Sequence, residues 1–535
     1  MLTFLPSLEH ATILVCILTI PLVAAALIWI CSKRFASSLW LIANVFSLAL
    51  LTASIHLLSI FQPGVTGFQF VVNRPISESL GIHFALGLDG IGLWCVLFTA
   101  LLMSIAIYRA KEIPQNLAGY LILLFLMAEA ALGIFLALDL VLYYVFWELM
   151  LIPNFFLLYR YGQYQHKKAA IKLALFTGVG SLLMLVSIVS IGQLAAFSKL
   201  SFFIGDIVGL KVAPDVADYL LYGFLAAFFL KSAVFPFHSW LPDAHRAAPP
   251  GGSFDLMLVL PKVGLFGAIR LLVLLLPEAI SRHQHSLMVL GTVALFYGAL
   301  VAWKERDLKR FLAFSTVSHV GLALAGLSTM TVEGISGCLF LMLGSAIATG
   351  SMFLLVSDME KESGAREIGD LGGLAASMPV VSSLFLVFGL SSIGLPLTNG
   401  FIGEFLSLAG IFKINPTIGI FATISVVFSA LYFLSVYRQV FFSEQVRAGT
   451  DISRSATIMF IPALLLVFML GVYPEPILAG VRQSISAIPS ISSLVASQPK
   501  SEIKSSSLLR PEEPRMDVNS LRNLLFSTKG QNGGR

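Results

Sequence analysis

Apolar runs of about 20 residues, the length a helix needs to cross a ~30 Å hydrocarbon core, recur along nearly the whole chain between short polar stretches. They predict helices near 11–31, 38–60, 90–110, 117–137, 139–159, 168–197, 217–240, 251–276, 286–303, 311–330, 333–357, 375–411, 416–437 and 455–474. That is about fourteen crossings, and the long stretches at 168–197 and 375–411 are expected to contain bends or interfacial turns. With that many crossings the loops alternate sides. The odd-numbered loops hold most of the basic residues, including Arg109, Lys111, Lys167, Lys168, Lys304, Lys309 and Arg310, whereas the even ones hold Arg74, Lys199, Lys211, Arg282 and Lys413. The excess of basic residues on the cytoplasmic side of membrane proteins places the odd loops in the cytoplasm and both termini outside. Beyond Pro489 the chain is rich in Ser, Glu and Lys without apolar periodicity, and it reads as a disordered tail.

Composition agrees with the pattern. Hydrophobic residues make up 57% of the 535, charged residues 12%, and mean hydropathy is +0.89, far outside the soluble range. A net charge of +5 spread over loops and tail gives no reason to invoke nucleic acid. Cys16, Cys31, Cys95 and Cys338 lie in or at the ends of apolar segments without C-x-x-C spacing, so no disulfide, zinc or iron–sulfur framework is expected. The start, Met1 to Thr12, lacks the basic region of a signal peptide, and the first helix is expected to be retained.

Several ionisable residues break the apolar runs: Glu148 in YYVFWELML, Lys231 in AAFFLKSAVFPF, Lys262 in LVLPKVGLFG, His319 in STVSHVGLA and Glu404 in LTNGFIGEFLSL. A charged group near the bilayer centre costs at least ~2.5–3.5 kcal/mol on insertion scales, which marks such residues as functional candidates. Burial penalises the charged form and an opposite charge restores it, so Glu148 and Lys231 are expected to form a switchable pair. One Glu–Lys pair would equally staple two helices. A series of acids and bases at similar depth is instead what a proton relay requires, because each hop spans about one hydrogen bond or one water. Lys172 is open to two readings, a relay member or a side chain snorkelling to the cytoplasmic interface. Asp255 and Glu129 have no partner legible in sequence, and Asp89 is expected to cap a helix N-terminus.

The helices holding Lys231 and Glu404 are also the ones with proline and polar residues at membrane depth, at Pro236 before FHSWLPDAH and at Pro396 in SSIGLPLTNG. Unwound backbone in a bilayer is tolerated where it is buried in protein or lines a hydrated cavity. If helices four to eight and nine to thirteen are two halves of one repeat, Lys231 maps to Glu404 and Glu148 to His319, and paired interrupted helices of this kind point to a transport site. No G-x-x-x-x-G-K-[ST] loop, strand-borne G-x-G-x-x-G or cysteine cluster is present, so no nucleotide site, redox centre, metal or other cofactor is expected in this chain. Energy for pumping is then expected from partners or from an ion gradient.

The segments FWELMLIPNFFLLYRYG, FFLKSAVFPFHSWLPDAH, STVSHVG and LPLTNGFIGEF resemble the antiporter-like membrane subunits of respiratory complex I, and among those the M type; the similarity runs from Leu86 to Phe442. The resemblance implies an all-α polytopic membrane protein of about fourteen helices with two inverted five-helix repeats. It implies that Glu148 and Lys231 form the input pair, Lys262 the central relay and Glu404 the terminal residue of a half-channel. Quinone reduction elsewhere would drive the proton movements. The partners would be other membrane subunits and the lipid of an energy-coupling, bacterial inner membrane, with no direct NADH or quinone contact. Two departures stand out. Ser345 in GSAIATGSMFLL occupies a place where the family usually has a histidine, which removes one proton carrier, and Pro261 directly precedes Lys262. The expected organisation is 1–85 for the first helices and an outer loop, 86–276 and 286–442 for the two repeats, 443–489 for a last transmembrane helix, and 490–535 for the tail. A sodium/proton antiporter subunit, a membrane-bound hydrogenase subunit, a CO₂- or bicarbonate-linked energy-coupling subunit and a non-conducting scaffold are the competing readings.

Overall fold

A computed structural model describes residues 8–113, 115–194, 200–259, 262–444 and 449–486. The expected tail at 490–535 and Pro261 lie outside the described residues. Within the described residues, eleven helices are long and apolar enough to cross a membrane. Three further helical stretches are present: two are interrupted, at 233–239 and at 393–398, and the third is described over 253–259 and 263–275. Together they are consistent with the number of crossings expected from hydropathy.

The chain opens with α1 (Leu8–Cys31) and α2 (Leu39–Ile60). A hairpin follows, β1 (Gln69–Ser77) and β2 (Ile82–Leu88), paired antiparallel with Val72 opposite Leu86. The sequence pattern predicts only an outer loop here, and the structure folds it into two strands. Strand β2 runs straight into Asp89, whose carboxylate accepts from the Gly92 N–H at 2.8 Å and so satisfies one of the free donors at the start of α3 (Gly90–Arg109). The first half continues with α4 (Leu117–Leu136), α5 (Leu140–Leu149), α6 (Leu151–Tyr161), α7 (His166–Leu194), a short α8 (Ile204–Ile207) and α9 (Pro214–Ser232). Beyond the first interruption come α10 (Trp240–Arg246) and α11 (Ser253–Val259). The chain resumes as α12 (Val263–Gly267), a π-helical turn (Ala268–Leu272) and α13 (Val273–Leu275).

The second half holds α14 (Pro277–Lys304), α15 (Leu308–Ser328) and α16 (Val332–Ser363), then a short α17 (Leu374–Ser377) and the interrupted pair α18 (Pro379–Ser392) and α19 (Asn399–Ile414). The stretch 375–411, expected to bend, is thus two helices separated by an extended turn. Helix α20 (Pro416–Phe442) follows, then α21 (Arg454–Met459) and α22 (Ile461–Val472), which together make the last crossing. A final helix, α23 (Glu475–Ser486), was not anticipated. Ile477, Val481 and Ile485 on it are buried, the four-residue spacing of an amphipathic helix lying on the protein.

Burial sorts the helices. Helix α15 is buried from end to end within this one chain, and so is α16 from Gly334 to Met359. By contrast α2, α7 and α20 expose Val45, Leu48, Leu175, Leu182, Ile420 and Val427. Apolar residues on that periphery face lipid or neighbouring subunits, and the polar residues of the core face one another.

Candidate functional site: the buried charge line

Lys231 lies in the last turn of α9, one turn before the interruption, and Ala233 in the left-handed region (φ 56°) ends the helix by donating to the Phe229 carbonyl. The negative end of a helix dipole favours an ammonium there. Lys231 Nζ donates to the Trp147 carbonyl at 2.9 Å and sits 4.4 Å from the centre of the Trp147 ring. Trp147 is held by Tyr143 and Phe228, with ring centroids 5.8 and 5.6 Å away. Glu148, the next residue on α5, is the carboxylate whose field Lys231 feels, yet no direct ion pair joins them. One Glu148 oxygen is buried without a hydrogen-bond partner in the protein. The anticipated pair is therefore an electrostatic neighbour relation with a tryptophan carbonyl holding the ammonium. Lys231 also lines a small cavity with Asn154, Thr177 and Trp240.

Lys262 occupies the cap position before α12, and its carbonyl accepts the Leu265 N–H at 2.8 Å. Helix α12 packs on α9, with Gly264 against Ser232, which brings the backbones carrying Lys231 and Lys262 close together. The Lys262 ammonium donates to the Ser345 hydroxyl on α16, and that hydroxyl donates in turn to the Leu341 carbonyl at 2.5 Å. The sequence departure at Ser345 thus stands in direct contact with the central lysine.

Ser345 also lines a cavity of about 10 Å³ shared with His319, Gly344, Ser391, Ser392 and Glu404, roughly the room one water occupies. His319 is 3% exposed and neither ring nitrogen has a protein hydrogen-bond partner. Glu404 is 5% exposed, and its carboxylate lies directly against Gly394. Gly394 takes φ +70°, and a Cβ there would overlap the carboxylate. The interruption between α18 and α19 therefore makes the space into which the acid fits.

Of the five sequence candidates, the structure brings Lys262, His319 and Glu404 together around Ser345 and sets Glu148 beside Lys231. The secondary candidates divide. Lys172 ties α7 to the first interruption, donating to the Ser239 carbonyl at 2.8 Å and to Asp243 at 2.6 Å. Asp89 caps α3 and also accepts from Arg270 at 2.6 Å, an arginine on the π-helical turn that sequence reading passed over. Glu129 is buried, with one oxygen unpartnered. Asp255 has two partners, His245 at 2.8 Å and Lys309 at 2.9 Å. Neither partner was singled out in sequence, because both stand next to loops rather than inside apolar runs. Among the described residues no cluster of His, Cys, Asp and Glu could hold a metal ion.

Residues 137–429, which contain all five candidates, match the family described as NADH:quinone oxidoreductase/Mrp antiporter, transmembrane. The chain belongs to that family. Relatives within this oxidoreductase/antiporter family include an NADH-quinone oxidoreductase subunit M of Rhodobacter capsulatus, 34% identical over 474 residues, which are 85% of this chain and 92% of the relative. The subunit M of Pseudomonas aeruginosa is 35% identical over 75% of this chain and 81% of its own. A chain of respiratory complex I from Thermus thermophilus superposes with a TM-score of 0.81 at 30% identity, covering 89% of this chain and 99% of that one. A chain of an archaeal membrane-bound sulfane sulfur reductase shares the fold, with a TM-score of 0.76 at 21% identity over 91% of this chain and 99% of that one. The oxidoreductase/antiporter fold, with its helices interrupted beside Lys231 and Glu404, is therefore the frame in which the charge line sits.

Proposed function

We propose that this chain is the M-type, antiporter-like subunit of a complex I-type NADH:quinone oxidoreductase in the bacterial inner membrane, and that Glu148, Lys231, Lys262, His319 and Glu404 carry protons through it. The chain is an integral multi-pass membrane protein and a translocase subunit of the oxidoreductase. Redox chemistry in other subunits drives the transfer, and the partners are those membrane subunits and the surrounding lipid.

The observation that carries the relay is the shared cavity. Lys262 hands its proton toward the Ser345 hydroxyl, which opens on the space that also receives His319 and Glu404. The one Ser345 O–H is engaged by the Leu341 carbonyl, so the hydroxyl holds the ammonium at the edge of the cavity and the onward hop runs through the single water the cavity has room for. At the other end, the Glu148 carboxylate acts on Lys231 through its field, and the two side chains form no direct ion pair. Proton movement along such a line needs only that each member alternately hold and release one proton.

In vesicles carrying the assembled complex, Lys231→Met or Glu148→Gln is expected to abolish redox-driven proton uptake while leaving assembly intact. Unchanged uptake would reduce these residues to helix staples and the chain to a scaffold.

A further inference from the structure

Three ionisable side chains near the loops that carry the basic residues are buried as completely as core leucines. His245 and Asp255 are 0% exposed and Lys309 is 1%. They form one chain of contacts. Asp255 faces His245 Nδ1 at 2.8 Å with one oxygen and accepts from Lys309 Nζ at 2.9 Å with the other. Lys309 lies 3.9 Å from Glu360, close enough for a side-chain rotation or a single water to complete the contact.

Exposure rises along this chain. Glu360 is 20% exposed and lines a cavity of about 480 Å³ with Glu112, Tyr164, Ser357 and Lys361. The opposite end is closed. The His245 ring is stacked on Phe353, centroids 4.1 Å apart and planes 11° from parallel, and its Nε2 is buried without a protein partner. A structural ion pair is complete with two opposite charges. Here a pair is extended outward by an acid in a cavity large enough for many waters and inward by an imidazole with one nitrogen engaged and one open. Imidazole can take a proton at one nitrogen and release another from the second. In the chain these residues stand next to the relay: α10 follows the interruption beyond Lys231, α11 precedes Lys262, and Phe353 under the His245 ring shares α16 with Ser345.

We propose that Glu360, Lys309, Asp255 and His245 form the path by which protons enter the relay from the cytoplasmic face; the proposal rests on the relay reading. The Lys309 ammonium passes a proton to Asp255. Asp255 passes it to His245 Nδ1, and His245 releases one from Nε2 inward. The Lys309 amine is recharged from protonated Glu360, which takes its proton from the cavity. One passage takes a proton from the cavity and releases one from Nε2, with Glu360, Lys309 and Asp255 each recharged by the hop behind it. The imidazole ends protonated at Nδ1, and a turn of the ring restores the Nε2–H form before the next passage, so no further reactant is needed.

The decisive variant is Lys309→Arg, assayed in the assembled complex in vesicles. Arginine keeps the charge and the contact with Asp255 but does not deprotonate. An uptake path is expected to lose redox-driven proton uptake several-fold or more, whereas a staple keeps it. Glu360→Gln, at the partly exposed position beside Lys309 and Arg366, gives the same reading if arginine prevents assembly, since glutamine keeps the size and polarity of the side chain and cannot carry the proton. Normal uptake in whichever of these variants assembles, with Lys231→Met inactive in parallel vesicles, overturns the entry path and leaves the relay standing. Normal uptake in Lys231→Met as well overturns the relay itself.

Discussion

Ser345 accepts from Lys262 and donates to the Leu341 carbonyl, so one hydroxyl fixes the position of the central ammonium. Ser345→Ala is expected to lower redox-driven proton uptake several-fold with normal assembly, and Ser345→Thr to retain most of it. Comparing proton uptake with quinone reduction in the same vesicles checks both. Gly394 is constrained in a different way. Its φ of +70° disfavours any side chain, and a Cβ would meet the Glu404 carboxylate. Gly394→Ala is expected to cost about 1–3 kcal/mol, read as a lowered midpoint of thermal unfolding in detergent, and to displace Glu404 from its cavity. The five residues proposed as the relay stand out in the sequence because an ionisable group inside a long apolar run is conspicuous. His245 and Lys309 do not, since each lies within a few residues of a polar loop and acquires its burial only when α10, α11, α15 and α16 pack together.

Among the elements, the crossings were legible because lipid demands long apolar helices, and the interruptions near Pro236 and Pro396 because proline with polar neighbours cannot sit in an intact buried helix. The hairpin β1–β2 is hidden in the sequence because Asn73, Arg74 and Pro75 break the alternation within β1. The two kinds of tie between elements differ in weight. Arg109 on α3 bridges Asp358 on α16 and donates to the Gly251 carbonyl at 3.3 Å, with both charged side chains buried. Asp243 on α10 holds Lys172 at 2.6 Å and Arg310 at 2.8 Å, but Lys172 and Asp243 are 33% and 37% exposed. Removing one partner of a buried pair strands the other charge, so Arg109→Met is expected to destabilise by about 3–5 kcal/mol. Asp243→Asn is expected to cost under about 1 kcal/mol, because solvent screens exposed pairs. Thermal inactivation of the purified complex ranks the two.

At the scale of the whole molecule, α23 closes over the start of α3 where Gly480 meets Gly90 backbone to backbone. Gly480→Leu is expected to lift the helix, and faster tryptic cleavage at Arg482 would register it. The greater influence belongs to α16. Its 32 residues span about 48 Å at 1.5 Å each. Along that length it carries Ser345 beside Lys262, Phe353 beneath His245, Asp358 against Arg109 and Glu360 beside Lys309. A helix passes a push along its axis with little loss, so a tilt or slide that loosens one of these contacts reaches the other three. The proposed cytoplasmic entry and the centre of the proposed relay are thus tied to one helix rather than to separate elements, and a single movement of α16 would time both.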